Sequence, residues 1–176
     1  MKKLKLDELG RISVEEFKQS EKLPLCIVLD NIRSLHNVGS AFRTSDAFKL
    51  EKIYLTGITG QPPHREIEKT ALGATASVDW EYAEKTAQLL QSLKEKGYFI
   101  IAIEQTSVSE SLNQFHPEDG RKYCLVFGNE VHGVSEEAIA LADKALEIPQ
   151  QGTKHSLNIS VCLGIVTWEF FRKLRL

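Results

Sequence analysis

Residues 25–29 read Leu-Cys-Ile-Val-Leu, and Asp30 ends the run. Side chains on an extended segment point alternately to opposite faces, so five apolar ones in a row require cover on both. A strand with one wet face would alternate apolar with polar; this one does not. Tyr98-Phe-Ile-Ile-Ala-Ile103 and Tyr123-Cys-Leu-Val-Phe127 have the same character, and Ile53-Tyr-Leu55 and Ala145-Leu-Glu-Ile148 are shorter candidates. Helical signals lie between them. Ser13-Val-Glu-Glu16 fits a capping box ahead of Phe17. Asn37 opens a helix with Val38, Ala41, Phe42 and Ser45 on one face, and Pro62-Pro63 opens another that runs through Leu72 and stops at Gly73. Residues 84–96 carry Ala87, Leu90 and Leu93 on one stripe before Gly97. Ser135 caps a helix with Glu136 and Glu137 in its first turn, Val134 and Ile139 being spaced for a hydrophobic staple, and residues 157–174 form a last helix. Strands alternate with helices throughout. The expected fold is α/β, a mostly parallel sheet covered by helices on both faces.

The chain of 176 residues suits one domain over 1–176, with residues 1–22 as a short N-terminal helical extension. It opens Met-Lys-Lys-Leu-Lys-Leu, without the apolar run of a signal peptide, and no segment reaches the roughly 18 apolar residues of a membrane span. Cys26, Cys124 and Cys162 each sit in an apolar run with no Cys-x-x-Cys spacing, which predicts buried reduced thiols rather than a zinc site or a disulfide frame. A cytoplasmic location is the expectation. A net charge of −2 gives no global basic field, so any nucleic-acid binding has to come from local groups. Arg33, His36 and Arg43 form one such group, His64, Arg65 and Lys69 a second, Lys154 and His155 a third. Singly, each reads as a solvated surface residue. The last helix is apolar nearly all round from Val161 to Phe171, broken by Gly164, Thr167 and Glu169. Such a helix packs on two sides, predicting the sheet on one and a second copy of the chain on the other.

Ligands in open α/β sheets gather beyond the carboxyl ends of the strands. Four polar loops are expected there: Asp30 to Arg43, Glu104-Gln-Thr-Ser, Gly128-Asn-Glu130-Val-His-Gly133, and the stretch Gly152-Thr-Lys-His-Ser-Leu-Asn-Ile-Ser160. The last puts five polar groups (Lys154, His155, Ser156, Asn158 and Ser160) at the entrance to the most apolar helix, more than a turn or a cap needs. No Gly-x-Gly-x-x-Gly, P-loop or Gly-x-Ser-x-Gly is present, and no His pair has metal-ligand spacing. Hydride transfer, P-loop hydrolysis, serine hydrolysis and zinc chemistry all lose ground.

Three segments then carry a resemblance. Asn37-Val-Gly39-Ser-Ala-Phe-Arg43, Phe127-Gly128-Asn129-Glu130 with Gly133, and Ile148-Pro149 with Gly152 and Ser156-Leu-Asn-Ile-Ser-Val161 resemble, in order and spacing, the three motifs of the SpoU/TrmH family. These are SPOUT-class RNA ribose 2′-O-methyltransferases, and the similarity runs from about residue 24 to residue 172. The resemblance implies a C-terminal trefoil knot, a rare exception to unknotted topology. It also implies S-adenosyl-L-methionine held by the loops after Ile103, Phe127 and Ile148. The matching cofactor positions are Glu104, Gly128, Ile148, Gln150 and Leu157, with Gln150 standing where the family often has Met. Gly152 would supply a tight bend in that loop, and Gly128 would let backbone approach a ligand closely.

The catalytic positions implied are Arg43, Asn37, Glu130, Ser156 and Asn158. Methyl transfer from a sulfonium needs no metal; its difficulty is the ribose hydroxyl, a very weak acid that must be placed in line and lose its proton. Arg43 matches the family's catalytic arginine. A guanidinium stays protonated, so its expected role is to hold phosphate and ribose bidentately and stabilise charge on oxygen; its bland alternative is a surface pair with Asp46. Asn37 would cap its helix and orient Arg43, and Glu130 would pair with either one or, less favoured, take the proton. Ser156 and Asn158 would face the ribose, although either could be the cap of the last helix, Ser156 being the better candidate. RNA is implied as substrate because it alone carries the 2′-OH. Residues 62–79, beginning Pro-Pro-His-Arg-Glu-Ile-Glu-Lys, and Ile148-Pro-Gln-Gln-Gly resemble eukaryotic tRNA guanosine 2′-O-methyltransferases, which favours tRNA over rRNA. Arg33, His64, Arg65 and Lys154 are the expected RNA contacts. Two other classes compete: a catalytically silent RNA-binding module on this fold, and a flavodoxin-like nucleotide-binding domain.

Overall fold

The computed structural model describes the backbone of residues 1–176 and all side chains except those of Leu6 and Asp7. Seven parallel strands form one sheet: β1 (Leu23–Asp30), β2 (Leu50–Thr56), β3 (Trp80–Ala83), β4 (Tyr98–Ile103), β5 (Glu110–Ser111), β6 (Lys122–Phe127) and β7 (Lys144–Glu147), ordered β3-β2-β1-β6-β4-β7-β5. The helices are α1 (Val14–Gln19), α2 (Leu35–Ala47), α3 (Arg65–Ala71), α4 (Ala74–Ser77), α5 (Thr86–Glu95), α6 (Glu136–Leu141) and α7 (Ile159–Arg175). No helix among the described residues is long and apolar enough to cross a membrane.

The apolar runs behave as their physics requires. Leu25, Ile27 and Leu29 enter one core with Phe42, Phe127 and Phe170, while Cys26 and Val28 enter the other with Leu90, Leu93 and Ala138. One strand thus anchors α2 and α7 on one face and α5 and α6 on the other. Cys26 and Cys124 are opposed on neighbouring strands, buried and free, and Cys162 is free as well. Burial, joined by hydrogen bonding to Cys124, holds the Cys26 thiol well above its ordinary range.

Several boundaries differ from expectation. α2 starts at Leu35, not Asn37; its cap is Ser34, whose Oγ accepts from the N–H of Asn37 at 3.3 Å. α3 starts at Arg65 rather than at the prolines, and it ends in the left-handed conformation of Leu72, ahead of Gly73. Ser135 makes no side-chain cap bond to α6. Asn158, not Ser156, caps α7, its Oδ1 accepting from the N–H of Ser160 at 2.9 Å. β3 and β5 were unforeseen. β3 has only end positions half-buried, and β5 is two residues long, so neither carries the continuous apolar signal.

Candidate active site

β4, β6 and β7 are neighbours, and their carboxyl ends stand level. The three loops that leave them, with the start of α7, enclose a cavity of about 710 Å³. Glu104, Gly128, Glu130, Ile148, Gln150, Ser156, Leu157 and Asn158 all line it. Asn37, Arg43, Arg33 and Lys154 do not. The loop after β1 is therefore not the fourth wall that was expected; Arg33 and Ser34 instead share an adjoining open groove with Glu130.

The wall after β6 is built by self-contact. The N–H groups of Asn129 and Gly133 each donate to the other's carbonyl, at 2.9 and 2.8 Å, which folds residues 129–133 into a closed loop. A Cβ on Gly128 would lie 2.0 Å from Gly133 C and from Val134 N. Glycine is required here by the loop's own backbone, whereas close approach of a ligand was the reason expected. Gly133 has φ +70° and sits against Glu104, whose Oε2 accepts from the N–H of Val134 at 3.0 Å. Oε1 of the same carboxylate accepts from the N–H of Gln105, so Glu104 braces the loops after β4 and β6 together. Gln105 in turn donates from Nε2 to the carbonyl of His155 at 2.8 Å, tying in the third loop. Gly152 opens the bend over residues 152–155, as expected, but it has open space around it and no left-handed φ, so nothing in its surroundings requires glycine.

Glu130 joins the three motifs. Its carboxylate accepts from the N–H of Arg33 at 2.9 Å, the N–H of Ser34 at 3.0 Å and Nδ2 of Asn37 at 2.9 Å. Asn37 Oδ1 accepts from Nδ2 of Asn158 at 3.4 Å. Burial alone would raise the Glu130 carboxyl, but the bonds from Arg33, Asn37 and Ser34 outweigh it and the net shift is downward. An ionised carboxylate that accepts three hydrogen bonds is a weak proton acceptor, which argues against that role. Asn37 bonds to Glu130 and Asn158, and among the described residues no bond joins it to Arg43. Arg43 is exposed, away from the buried Val38, Ala41 and Phe42. Asp46 accepts from Ser77, a tie to α4, and the alternative of a surface pair with Arg43 is not formed among the described residues. Ser156 is exposed at the cavity mouth.

His64 caps α3 by accepting at Nδ1 from the N–H of Glu66 at 3.2 Å, a structural use the sequence reading missed. Arg65 beside it is exposed, and Lys154 lies on the exposed loop before α7. The cavity also recruits His132, Glu136, Glu147 and Cys162, to which the sequence motifs assign no site role. Burial, with Glu104 nearby, pushes the Cys162 thiol up to about 11, so it stays protonated at neutral pH. Asn129, quoted but given no role, organises the wall: its Oδ1 accepts from Val131 and His132, and its Nδ2 donates to the carbonyl of Asn31 at 2.7 Å.

The lining itself selects a ligand class. Glu104, Glu130, Glu136 and Glu147 contribute carboxylates, Ile103, Leu146, Ile148 and Leu157 apolar surface, and none of the lining residues is Lys or Arg. That set suits a molecule with an apolar body and positive charge; it is unsuited to a phosphate, against the flavodoxin-like alternative. No cluster able to hold a metal occurs among the described residues.

Residues 24–168 match the model of the SpoU rRNA Methylase family. The chain belongs to that family. It is 33% identical over 170 residues to the tRNA (guanosine(18)-2′-O)-methyltransferase of Thermus thermophilus, covering 94% of this chain and 84% of the relative. The crystal structure of the Aquifex aeolicus TrmH/SpoU tRNA modifying enzyme superposes with a TM-score of 0.79 at 30% identity, over 91% of this chain and 79% of that one. The AdoMet-bound rRNA methyltransferase of Sinorhizobium meliloti gives 0.80 at 26% identity, over 90% and 59%. The family reached from the three motifs and the parallel α/β sheet reached from the apolar runs therefore stand.

Proposed function

We propose that this chain methylates the ribose 2′-hydroxyl of a guanosine in tRNA. The class of reaction is that of the family: the chain is an S-adenosylmethionine-dependent RNA 2′-O-ribose methyltransferase. The observation that carries the cofactor assignment in this chain is the cavity, acidic, partly apolar and free of Lys and Arg. The cofactor supplies an already activated methyl group, cationic at sulfur. Glu104 holds the loop backbones that face it, Gly128 permits their closure, and Ile148, Gln150 and Leu157 supply contact surface. The trefoil path of the C-terminal segment belongs to the same reading, supported by the meeting of the three loops in one cavity.

On the RNA side, Ser156 offers an unengaged hydroxyl at the cavity mouth, while Asn158 and Asn37 hold the entrance in register with Glu130. Arg43 places phosphate and ribose by a bidentate fork and stabilises developing charge on oxygen. Arg33, Arg65 and Lys154, all exposed, extend the RNA contact, with His64 contributing its exposed ring, whose Nδ1 is taken by the cap of α3.

The working unit is a homodimer. Val161, Ile165 and Trp168 recur one helical turn apart on α7 and are 51%, 41% and 45% exposed, while Leu163, Val166 and Phe170 fill the core side. A second copy covers that stripe. Because Arg43 lies outside its own chain's cavity, dimerisation also offers it to the cavity of the partner. The cytoplasm is the proposed location.

Calorimetric titration with S-adenosylmethionine, then mass mapping of tRNA and rRNA nucleosides with and without the gene, tests the reading. Saturable cofactor binding and a missing 2′-O-methylguanosine in tRNA are expected. A missing methyl in rRNA would move the substrate, and no binding would return the chain to a silent RNA-binding module.

A further inference from the structure

We propose that Asp30 is a positioning residue for the methyl transfer, clamping the cofactor-facing loop after β6 to the loop that leads into α2. Asp30 ends β1 and is 1% exposed, so a carboxylate there has to be fully satisfied. Oδ2 accepts from the N–H of Ser135 at 2.9 Å, where the cavity loop becomes α6. Oδ1 accepts from Nδ2 of Asn31 at 2.8 Å and from Oγ1 of Thr86 at 2.7 Å. The Thr86 hydroxyl shares a further bond with the buried Thr56 at 2.7 Å, so the carboxylate rests on α5 and β2 as well.

The bond to Ser135 is one stitch in a seam. Asn129 Nδ2 donates to the carbonyl of Asn31 at 2.7 Å, and Glu130 receives the N–H groups of Arg33 and Ser34. Residues 129–135 and 30–37 are thus joined at both ends and in the middle. The first segment forms the cavity wall; the second carries α2 and with it Arg43. The cofactor-facing wall and the start of the helix that carries Arg43 are held as a unit, and Asp30 lines neither the cavity nor the groove beside it. Catalytic geometry is sensitive to such support, because displacement of the supporting shell misplaces the reacting groups.

The inference rests on the cofactor reading above, and its test separates the two. Asp30→Ala removes the carboxylate. Thr86→Val removes a bond to the same carboxylate from α5 without touching the seam, so it controls for stability. Hydrogen exchange reads the seam without any cofactor: amides of residues 129–135 should exchange faster in Asp30→Ala and at the wild-type rate in Thr86→Val. Calorimetry should then find S-adenosylmethionine bound about tenfold or more weakly by Asp30→Ala, the scale of one charge-assisted hydrogen bond. Thr86→Val should bind as the wild type does. Asp30→Asn, which keeps an oxygen for Ser135 but loses an acceptor, should fall between them. That variant decides the matter if Asp30→Ala does not fold: wild-type affinity in Asp30→Asn would overturn the proposal. Unchanged exchange in a folded Asp30→Ala would overturn the seam. Faster exchange with unchanged affinity, or Thr86→Val as damaging as Asp30→Ala, would reduce Asp30 to a stabilising residue. A wild-type chain that does not bind S-adenosylmethionine, with the exchange pattern intact, would count against the function proposed and leave the seam standing.

Discussion

At the scale of single residues, Gly128 and Gly152 look alike in the sequence and differ in physics. A Cβ at Gly128 meets backbone at 2.0 Å, which cannot yield cheaply; a Cβ at Gly152 meets nothing within 4 Å. Gly128→Ala should open the loop 129–133 and weaken S-adenosylmethionine binding by at least ~10-fold, at a stability cost of about 1–3 kcal/mol for overpacking. Gly152→Ala should change stability by less than about 0.5 kcal/mol, as for an ordinary surface substitution, and leave cofactor affinity intact. Calorimetry and thermal melts on the two variants check both; equal damage would show that the third loop is tighter than its open surroundings indicate. The same contrast explains what the sequence could reveal of the site. Gly128, Ile148 and Leu157 stand in motifs, and all line the cavity. Asp30 was visible only as the end of a strand, because its role depends on a donor 105 residues away. Glu130 was visible as an acid that could pair with Asn37, and it does; its bonds from Arg33 and Ser34 were not visible, since those donors are backbone groups that no side-chain pattern encodes.

At the scale of the element, α7 shows how charge pins a helix whose apolar faces are spoken for. Glu169 pairs with Arg172 at 2.8 Å and Lys173 at 2.9 Å, and Lys173 also donates to the carbonyls of Leu112, Asn113 and Phe115, fastening the helix to the loop after β5. The bonds from Arg172 and Lys173 hold the Glu169 carboxyl down at about 2. A carboxyl depressed on folding stabilises fully above its unfolded value, near 4.3, and loses that contribution as pH falls through the folded value. Wild type should therefore be more stable than Glu169→Gln at neutral pH, with the gap closing between about pH 4 and pH 2. Urea melts of both proteins across that range check it; a gap that persists at pH 2 would mean the glutamate acts by packing. Such local ion pairs, at i+3 and i+4, are legible in sequence. So were the five apolar runs, because a strand covered on both faces has no polar positions to hide it. β3 and β5 were not, since edge strands this short owe their pairing to neighbours rather than to their own composition. The caps misread at Asn37 and Ser156 each had two polar candidates within one turn, and only backbone geometry selects between them.

At the scale of the whole molecule, the decisive feature is a separation. The cavity is built by the loops after β4, β6 and β7, yet Arg43 projects from the exposed side of α2 and lines none of it. Either the arginine reaches RNA that bridges the gap within one chain, or it serves the cavity of a second copy docked along Val161, Ile165 and Trp168. Trp168 is held by rings on its own chain, with Phe48 at 5.9 Å and Phe171 at 6.0 Å between centroids, so the stripe is a shaped surface rather than loose side chains. Ile165→Glu should therefore yield single chains by light scattering while keeping the fold. The two arrangements of Arg43 part in a mixing experiment. Arg43→Ala keeps the cavity and loses the guanidinium; Gly128→Ala keeps the guanidinium and, at a cofactor concentration that fills only the wild-type cavity, leaves its own cavity empty. If each site draws on both chains, the mixed dimer holds one complete site, assembled from the arginine of one and the cavity of the other. Random reassortment of the two inactive variants should then restore about a quarter of wild-type turnover, since half the dimers are mixed and each has one of two sites intact. If each site lies within one chain, every site in every dimer lacks one component and no activity returns.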